Sequence, residues 1–150
     1  MNCKALKYFQ LSVLLIALVQ LISCTPQSCQ EETQSLVKAN FYQTGTGKLQ
    51  APDSITLYGL GRDSMIYYKA LKIQTIKIPL NPASDTSSFI LKINGITHTL
   101  MFIYSSYPHL LSKECGFTFY QYLDTIFGVD FDYTNRNITT INEENIRIFY

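Results

Sequence analysis

Apolar and polar positions alternate along this chain in two unlike regimes. Between Leu11 and Ile22 nearly every residue is apolar, Ser12 and Gln20 excepted. From Val37 onward the apolar residues instead come in short runs rich in Ile, Phe, Tyr, Thr and Val, divided by clusters of Gly, Pro, Asn and Asp. β-branched and aromatic side chains fit a pleated, half-buried surface and the dividing residues fit turns, so the second regime reads as a succession of strands. Strands are expected at 36–44, 54–60, 64–68, 73–80, 117–123, 126–133, 138–141 and 146–150, in addition to one hairpin. Only 31–38 has a pattern that could start a helical turn.

The hairpin is the sharpest local signal. In "SFILKINGITHTLMFIY" two alternating runs flank Asn94-Gly95, and a two-residue type I′ turn needs positive φ at both central positions, which Asn and Gly supply. That loop length fixes the register: Ile93 opposite Ile96, Leu91 opposite His98, Phe89 opposite Leu100. One face then carries Phe89, Leu91, Ile93, Ile96, Leu100 and Phe102 and is assigned to the core, with His98 on the same side. About nine or ten short strands exceed what one open sheet of this size usually holds. The expected fold is all-β, an antiparallel β-sandwich of immunoglobulin-like type, with a small β-barrel as the alternative.

The apolar regime has a different meaning. Lys4 and Lys7 precede it, and its length falls short of the roughly 20 apolar residues that cross a bilayer, so it reads as an export signal. Its end, Leu21-Ile22-Ser23-Cys24, resembles the lipobox of bacterial lipoproteins, in which the cysteine receives a diacylglycerol thioether and becomes the mature N-terminus. The alternative is an ordinary secretory signal cleaved nearby, leaving Cys24 a plain thiol. The organisation expected is therefore a signal peptide at 1–23, a lipidated N-terminus and polar tether at 24–35, and one sandwich domain at 36–150. The 127 residues left after the signal suffice for a single core.

This division sorts the four cysteines. Cys3 leaves with the signal and Cys24 carries lipid. Cys29 and Cys115 are left in an oxidising compartment, where a disulfide is their simplest use, ahead of free structural thiols and of metal or catalytic roles. A metal site is not expected, because the two histidines, His98 and His109, lie at no recognisable ligand spacing. Without Lys4 and Lys7 the chain has 10 basic against 11 acidic residues and no basic stripe, which argues against nucleic acid as a partner.

Three motifs suggest chemistry and each has a plainer explanation. "GLGRDS", residues 59–64, partly resembles a dinucleotide loop, but Ser64 replaces the third glycine and strands flank it, so a hairpin turn is expected. "DFDYTN", residues 130–135, opens like a calcium loop but lacks the Gly and the bidentate Glu, and Phe131 and Tyr133 alternate as in a half-buried strand. "SKECGF", residues 112–117, sets Cys115 beside Lys113 and Glu114, and a nucleophile would need a histidine within reach. His98 reads as a half-buried strand residue, and His109, in "SSYPHLLS", is expected in a loop after Pro108.

The eleven tyrosines are the more telling feature. Tyr67, Tyr68, Tyr104, Tyr107, Tyr120 and Tyr122 fall in strands or at their ends, where alternation sends some outward to stack on sugars or form a protein-contact patch. Most, on the plainer reading, are ordinary sheet residues paired across strands.

The lipobox, "FYQTGTGK", "DSITLYGLGRDSMIYY", "IPLNP" and "SKECGFTFYQYL" together resemble an uncharacterised family of short lipoproteins of the Bacteroides group. The resemblance spans the mature chain and implies location more than activity. It also implies O-glycosylation at Asp followed by Ser or Thr and an aliphatic, Thr or Met residue, with Ser54, Ser64 and Thr125 as candidates. "NIT" at Asn137 is a eukaryotic-type sequon and is given no weight. The function expected is a non-enzymatic envelope lipoprotein acting on another envelope protein, with small-ligand or glycan binding as the alternative. No catalytic residue and no cofactor is expected. Thr25 after the lipid cysteine favours the outer membrane, with the domain facing the periplasm.

Overall fold

The structure is a computed structural model and describes residues 28–62 and 64–150. The signal segment, Cys3 and Cys24 lie outside the described residues. By its internal contacts the chain divides after Gln30, and every strand belongs to the unit Glu31–Tyr150. Among the described residues there is no helix, and 31–35 is without regular structure.

Ten strands form two sheets. β1 (Leu36–Tyr42), β4 (Thr75–Pro79), β8 (Asp130–Tyr133) and β10 (Ile146–Phe149) make one, in the order β4-β1-β10-β8. The larger sheet has the order β3-β2-β5-β6-β7-β9, from β2 (Ser54–Gly59), β3 (Met65–Leu71), β5 (Thr86–Ile93), β6 (Ile96–Ser112), β7 (Gly116–Phe127) and β9 (Asn137–Ile138). This is the all-β sandwich expected from the strand count. All pairings are antiparallel except β1 with β10, which run parallel from Ala39 opposite Ile146 to Tyr42 opposite Phe149.

The core lies between the sheets. Val37, Ala39 and Phe41 of β1, Ile146 and Ile148 of β10 and Ile76 and Ile78 of β4 are inaccessible to solvent, and Leu57, Leu91 and Phe102 face them from the larger sheet equally buried. Burying each such Ile, Leu or Phe contributes about 1.5–3 kcal/mol, which sets the side of each strand that faces inward. The Asn94-Gly95 turn has φ of 50° and 87°, and the register is the one read from the loop length: Ile93–Ile96, Leu91–His98, Phe89–Leu100. Asn94 also braces β2, its Oδ1 accepting the Ser54 N–H at 3.1 Å.

Four local expectations are corrected. Ile96, assigned to the core, is 66% exposed although Ile93 opposite it is buried, because β7 flanks β6 only from Met101 onward and leaves this end of the strand open. "SSYPHLLS" is no loop but the far half of β6, so Pro108 and His109 are strand residues opposite Phe119 and Thr118. β5 begins at Thr86, opposite Ile103, which leaves β6 an edge strand at Pro108, where a missing N–H is tolerated. The run 126–133 is not one strand: β7 ends at Phe127 and β8 starts at Asp130 in the other sheet. Gly128, at φ 111°, makes that crossing. Finally, 31–38 starts no helical turn and its second half is β1.

Candidate functional site

The described surface has three places where side chains gather. The first is the outer face of the larger sheet. With core residues at even positions of β6, the odd ones face outward, and Met101 pairs with Phe127, Ile103 with Thr125, Ser105 with Tyr122 and Tyr107 with Tyr120. Tyr58 of β2 lies between Met65 of β3 and Ile90 of β5 and extends the face sideways. Met65 and Phe127 are about half exposed, at 52% and 50%. The result is a broad, low-charge face of Met, Phe, Tyr and Ile interspersed with Ser and Thr. Aromatic residues and Met are enriched in the buried centre of protein interfaces.

The face owes its shape to a bulge. Ile103 pairs with Thr125 but Tyr104 pairs with Leu123, so β7 carries Asp124 as an extra residue. Arg136 fills the irregularity, its Nη1 donating to the carbonyls of Leu123 at 3.0 Å and Asp124 at 2.7 Å. Its guanidinium also stacks 3.7 Å from the Tyr133 ring centroid. Sequence reasoning missed Arg136, because nothing local marks an arginine as the filler of a bulge twelve residues back.

The second place is the far end of the β6–β7 hairpin. Beyond the buried Tyr104–Leu123 pair, the inward-facing row continues as Ser106–Gln121, Pro108–Phe119 and Leu110–Phe117. Past the polar pair Ser106–Gln121, of which Gln121 is still buried, sandwich burial stops and the row turns apolar: Leu110 is 52% and Phe117 74% exposed. On the other side of the hairpin His109 stacks on Tyr120 at 4.1 Å between ring centroids, and Tyr120 meets Tyr107 edge-on at 6.2 Å. The chain ahead of β1 runs along this hairpin. Ser35 Oγ bonds the Phe119 carbonyl and, at 2.9 Å, the Gln121 Oε1, and the Thr33 carbonyl accepts from Thr118 Oγ1 at 2.7 Å. Cys29 and Cys115 are both disulfide-bonded, which removes Cys115 from nucleophilic chemistry.

The third place is a polar cluster on the outer face of the smaller sheet, around Glu144. Its Oε1 accepts from Arg147 Nε and Thr134 Oγ1, both at 2.8 Å, and its Oε2 from Tyr42 Oη at 2.8 Å and from Asn40 Nδ2. Burial pushes this carboxyl upward, and the hydrogen bonds from Arg147, Thr134, Tyr42 and Asn40 outweigh it, leaving the pKa below the ordinary value. Burial, with the Glu144 bond second, raises the Tyr42 phenol. With four donors on two oxygens the carboxylate is saturated, and its role is to hold 139–145 against the sheet. Buried Lys38 acts with it: its Nζ reaches the carbonyls of Thr139 and Ile141, and its N–H donates to Asn145 Oδ1 at 2.9 Å.

The remaining sequence candidates are dispersed. In "GLGRDS", Gly59 to Arg62 turn the chain after β2, closed by Arg62 N–H to the Gly59 carbonyl at 3.1 Å. "DFDYTN" is mostly β8, with Asp130 and Asp132 exposed and Phe131 and Tyr133 packed on the core. Among the described residues no three His, Cys, Asp or Glu side chains gather as a metal site. His98 is half-buried opposite Leu91. Ser64 is exposed beside the β2–β3 turn, Ser54 is half-buried at the start of β2, and Thr125 is half-buried within β7. The tyrosines diverge: Tyr104 is buried, Tyr67 accepts the Lys77 N–H at 3.0 Å, and Tyr68 lies exposed on β3, away from Tyr107 and Tyr122. An open depression of about 400 Å³ lies between Arg62, Leu80, Ser87 and Phe89 and contains no tyrosine.

The described residues thus build an all-β double sheet with an apolar outer face and a saturated polar cluster. Residues 54–150 match a family of unknown function, DUF6452, and the chain belongs to that family. No curated protein and no solved structure matches the chain.

Proposed function

We propose that the protein is a lipid-anchored accessory of the bacterial cell envelope, held at the outer membrane through Cys24 and facing the periplasm, whose sandwich binds another envelope protein without catalysing a reaction. The observation that carries the binding half is the outer face of the larger sheet, where Met65, Ile90, Met101, Phe127 and Tyr122 form one weakly charged surface. The lipobox-like Leu21–Cys24 carries the anchoring half. With Cys24 acylated and Cys3 removed with the signal, Cys29 and Cys115 are each other's disulfide partner.

The two halves are tested separately. Intact mass and peptide mapping of protein extracted from membranes should find the mature chain starting at an acylated Cys24; an unmodified Cys24 would rule out the anchor. For the partner, a photo-crosslinking residue at Phe127 in intact cells should give one discrete adduct that disappears when Met101→Lys is added. No adduct, or the same pattern from exposed Lys48, counts against the interface.

A further inference from the structure

Three features of the described surface have no role yet: the open depression beside Arg62, the apolar side chains of edge strand β3, and the far end of the β6–β7 hairpin. The first two offer nothing that names an occupant. The third does, because the segment leading into β1 runs there.

A strand rises about 3.3 Å per residue, so Phe117 stands roughly 13 Å beyond Gln121, the last buried residue in the inward-facing row of β7. At that distance an inward-facing row has no opposing sheet, yet the row is apolar: Pro108, Phe119, Leu110, Phe117. Phe117 alone is 74% exposed. Water is a poor environment for a hairpin end of this composition.

The segment preceding β1 is directed toward the same end. Ser35 meets Phe119 and Gln121, and Thr33, two residues earlier, meets Thr118, which is nearer the turn. The disulfide-bonded Cys115 sits in the turn at 113–115, next to Gly116 where β7 starts. Cys24 is nine residues from Thr33, a contour of at most about 32 Å. An acyl anchor on Cys24 therefore holds the bilayer surface within a short tether of the hairpin turn.

From this placement we infer that the end of the β6–β7 hairpin, with Leu110, Phe117 and Phe119, seats in the lipid surface and fixes the domain's orientation on the membrane. The inference rests on the acylated-Cys24 reading. Apolar faces of interfacial elements enter about 5–10 Å into the headgroup and acyl boundary, a depth these three side chains match. Lys113 and Glu114 in the turn add no net charge, so the seat is apolar and independent of anionic lipid. Lys113 can extend its ammonium to the headgroups while its stem stays with the apolar end. Attachment comes from the acyl chains. The hairpin decides which side of the sandwich faces away, and it leaves the Met101–Phe127 region of the outer face farther from the bilayer.

The chain contains no tryptophan, so one introduced indole is a clean reporter. The full-length lipidated protein carrying Phe117→Trp is reconstituted into zwitterionic vesicles whose acyl chains are brominated near the headgroup. Emission at 117 should be blue-shifted and quenched at least about threefold, the shallow depth expected of interfacial insertion, while Tyr68→Trp on β3 stays unquenched. Leu110→Trp, opposite Phe117, reports the same site should Phe117→Trp fold poorly. Vesicle-bound, acylated protein with a solvent-like, unquenched indole at 117 overturns the inference and leaves the anchor intact. A blue-shifted but unquenched indole overturns it in favour of a protein cover, a second copy included. Mass spectrometry showing Cys24 without lipid removes the anchor and the inference with it.

Discussion

Gly128 has a φ of 111°, and a Cβ built on it would lie 1.7 Å from the Thr99 carbonyl oxygen. Both the backbone conformation and the space forbid a side chain, so Gly128→Ala should cost at least about 3 kcal/mol, seen as a large drop in Tm or as loss of soluble protein. Glu144 makes a graded prediction. Its folded pKa lies below the ordinary value of 4.5, so its contribution to stability is fully present above that pH and is lost as pH falls through the folded pKa. Glu144→Gln should cost about 1–2 kcal/mol at pH 7, since a neutral amide keeps fewer of the four donors. The difference from wild type should shrink below about pH 4.5 in urea titrations; a constant difference down to pH 3 would mean that the carboxylate's charge is not what the cluster uses. At this scale the sequence was least legible. Glu144 takes its donors from residues 40, 42, 134 and 147, and "NEENIR" carries no sign that those positions converge.

Between elements, legibility followed the range of the interaction. The Asn94-Gly95 hairpin could be read to the residue because two adjacent φ angles decide it. Pro108 misled because a proline argues against a strand unless that strand is known to be an edge, and the point along β6 where β5 begins is a tertiary fact. β3 illustrates how an edge is managed. Leu57 pairs with Tyr67 but Ile55 with Ala70, so two residues, Tyr68 and Lys69, oppose the single Thr56, and Lys69 there adopts φ 44° while its N–H bonds Thr56 Oγ1 at 3.1 Å. A bulge with a lysine discourages edge-to-edge pairing, so the β3 edge is poorly suited to strand addition. The segment 139–145 depends on Lys38. Replacing it with Met removes the ammonium that bonds Thr139 and Ile141, and amide exchange should rise across 139–145 with little change in β5 and β6. Equal acceleration everywhere would mean that Lys38 acts on global stability.

For the whole molecule, the family match and the structural domain start at different places. The match runs from Ser54, whereas β1, at 36–42, lies between β4 and β10 in the smaller sheet. A chain truncated to 54–150 removes the buried Val37, Ala39 and Phe41 and exposes both neighbouring strands, so it should fail to give a cooperative unfolding transition, whereas 31–150 should give one. The disulfide was legible by counting, since the signal and lipid readings dispose of the other two cysteines. The proposed pairing of Cys29 with Cys115 closes a loop of about 85 residues and contributes up to about 4–5 kcal/mol, so reduction should lower Tm accordingly; an unchanged Tm would count against that pairing. The pairing of β1 with β10 was beyond sequence reasoning, because two apolar strands a hundred residues apart offer no local clue to their adjacency.

That parallel pairing also sets the timing of folding. β1 cannot complete its sheet until residues 146–149 are free to lie beside it, so the first strand of the domain waits for the last. Such long-range closure makes folding slow relative to a protein of local contacts. During synthesis from the N-terminus it keeps the smaller sheet open until residues 146–149 have emerged. The seam between β1 and β10 therefore works as a completeness check: a chain clipped before Ile146 displays an unfinished sheet edge, a ready substrate for quality-control proteases.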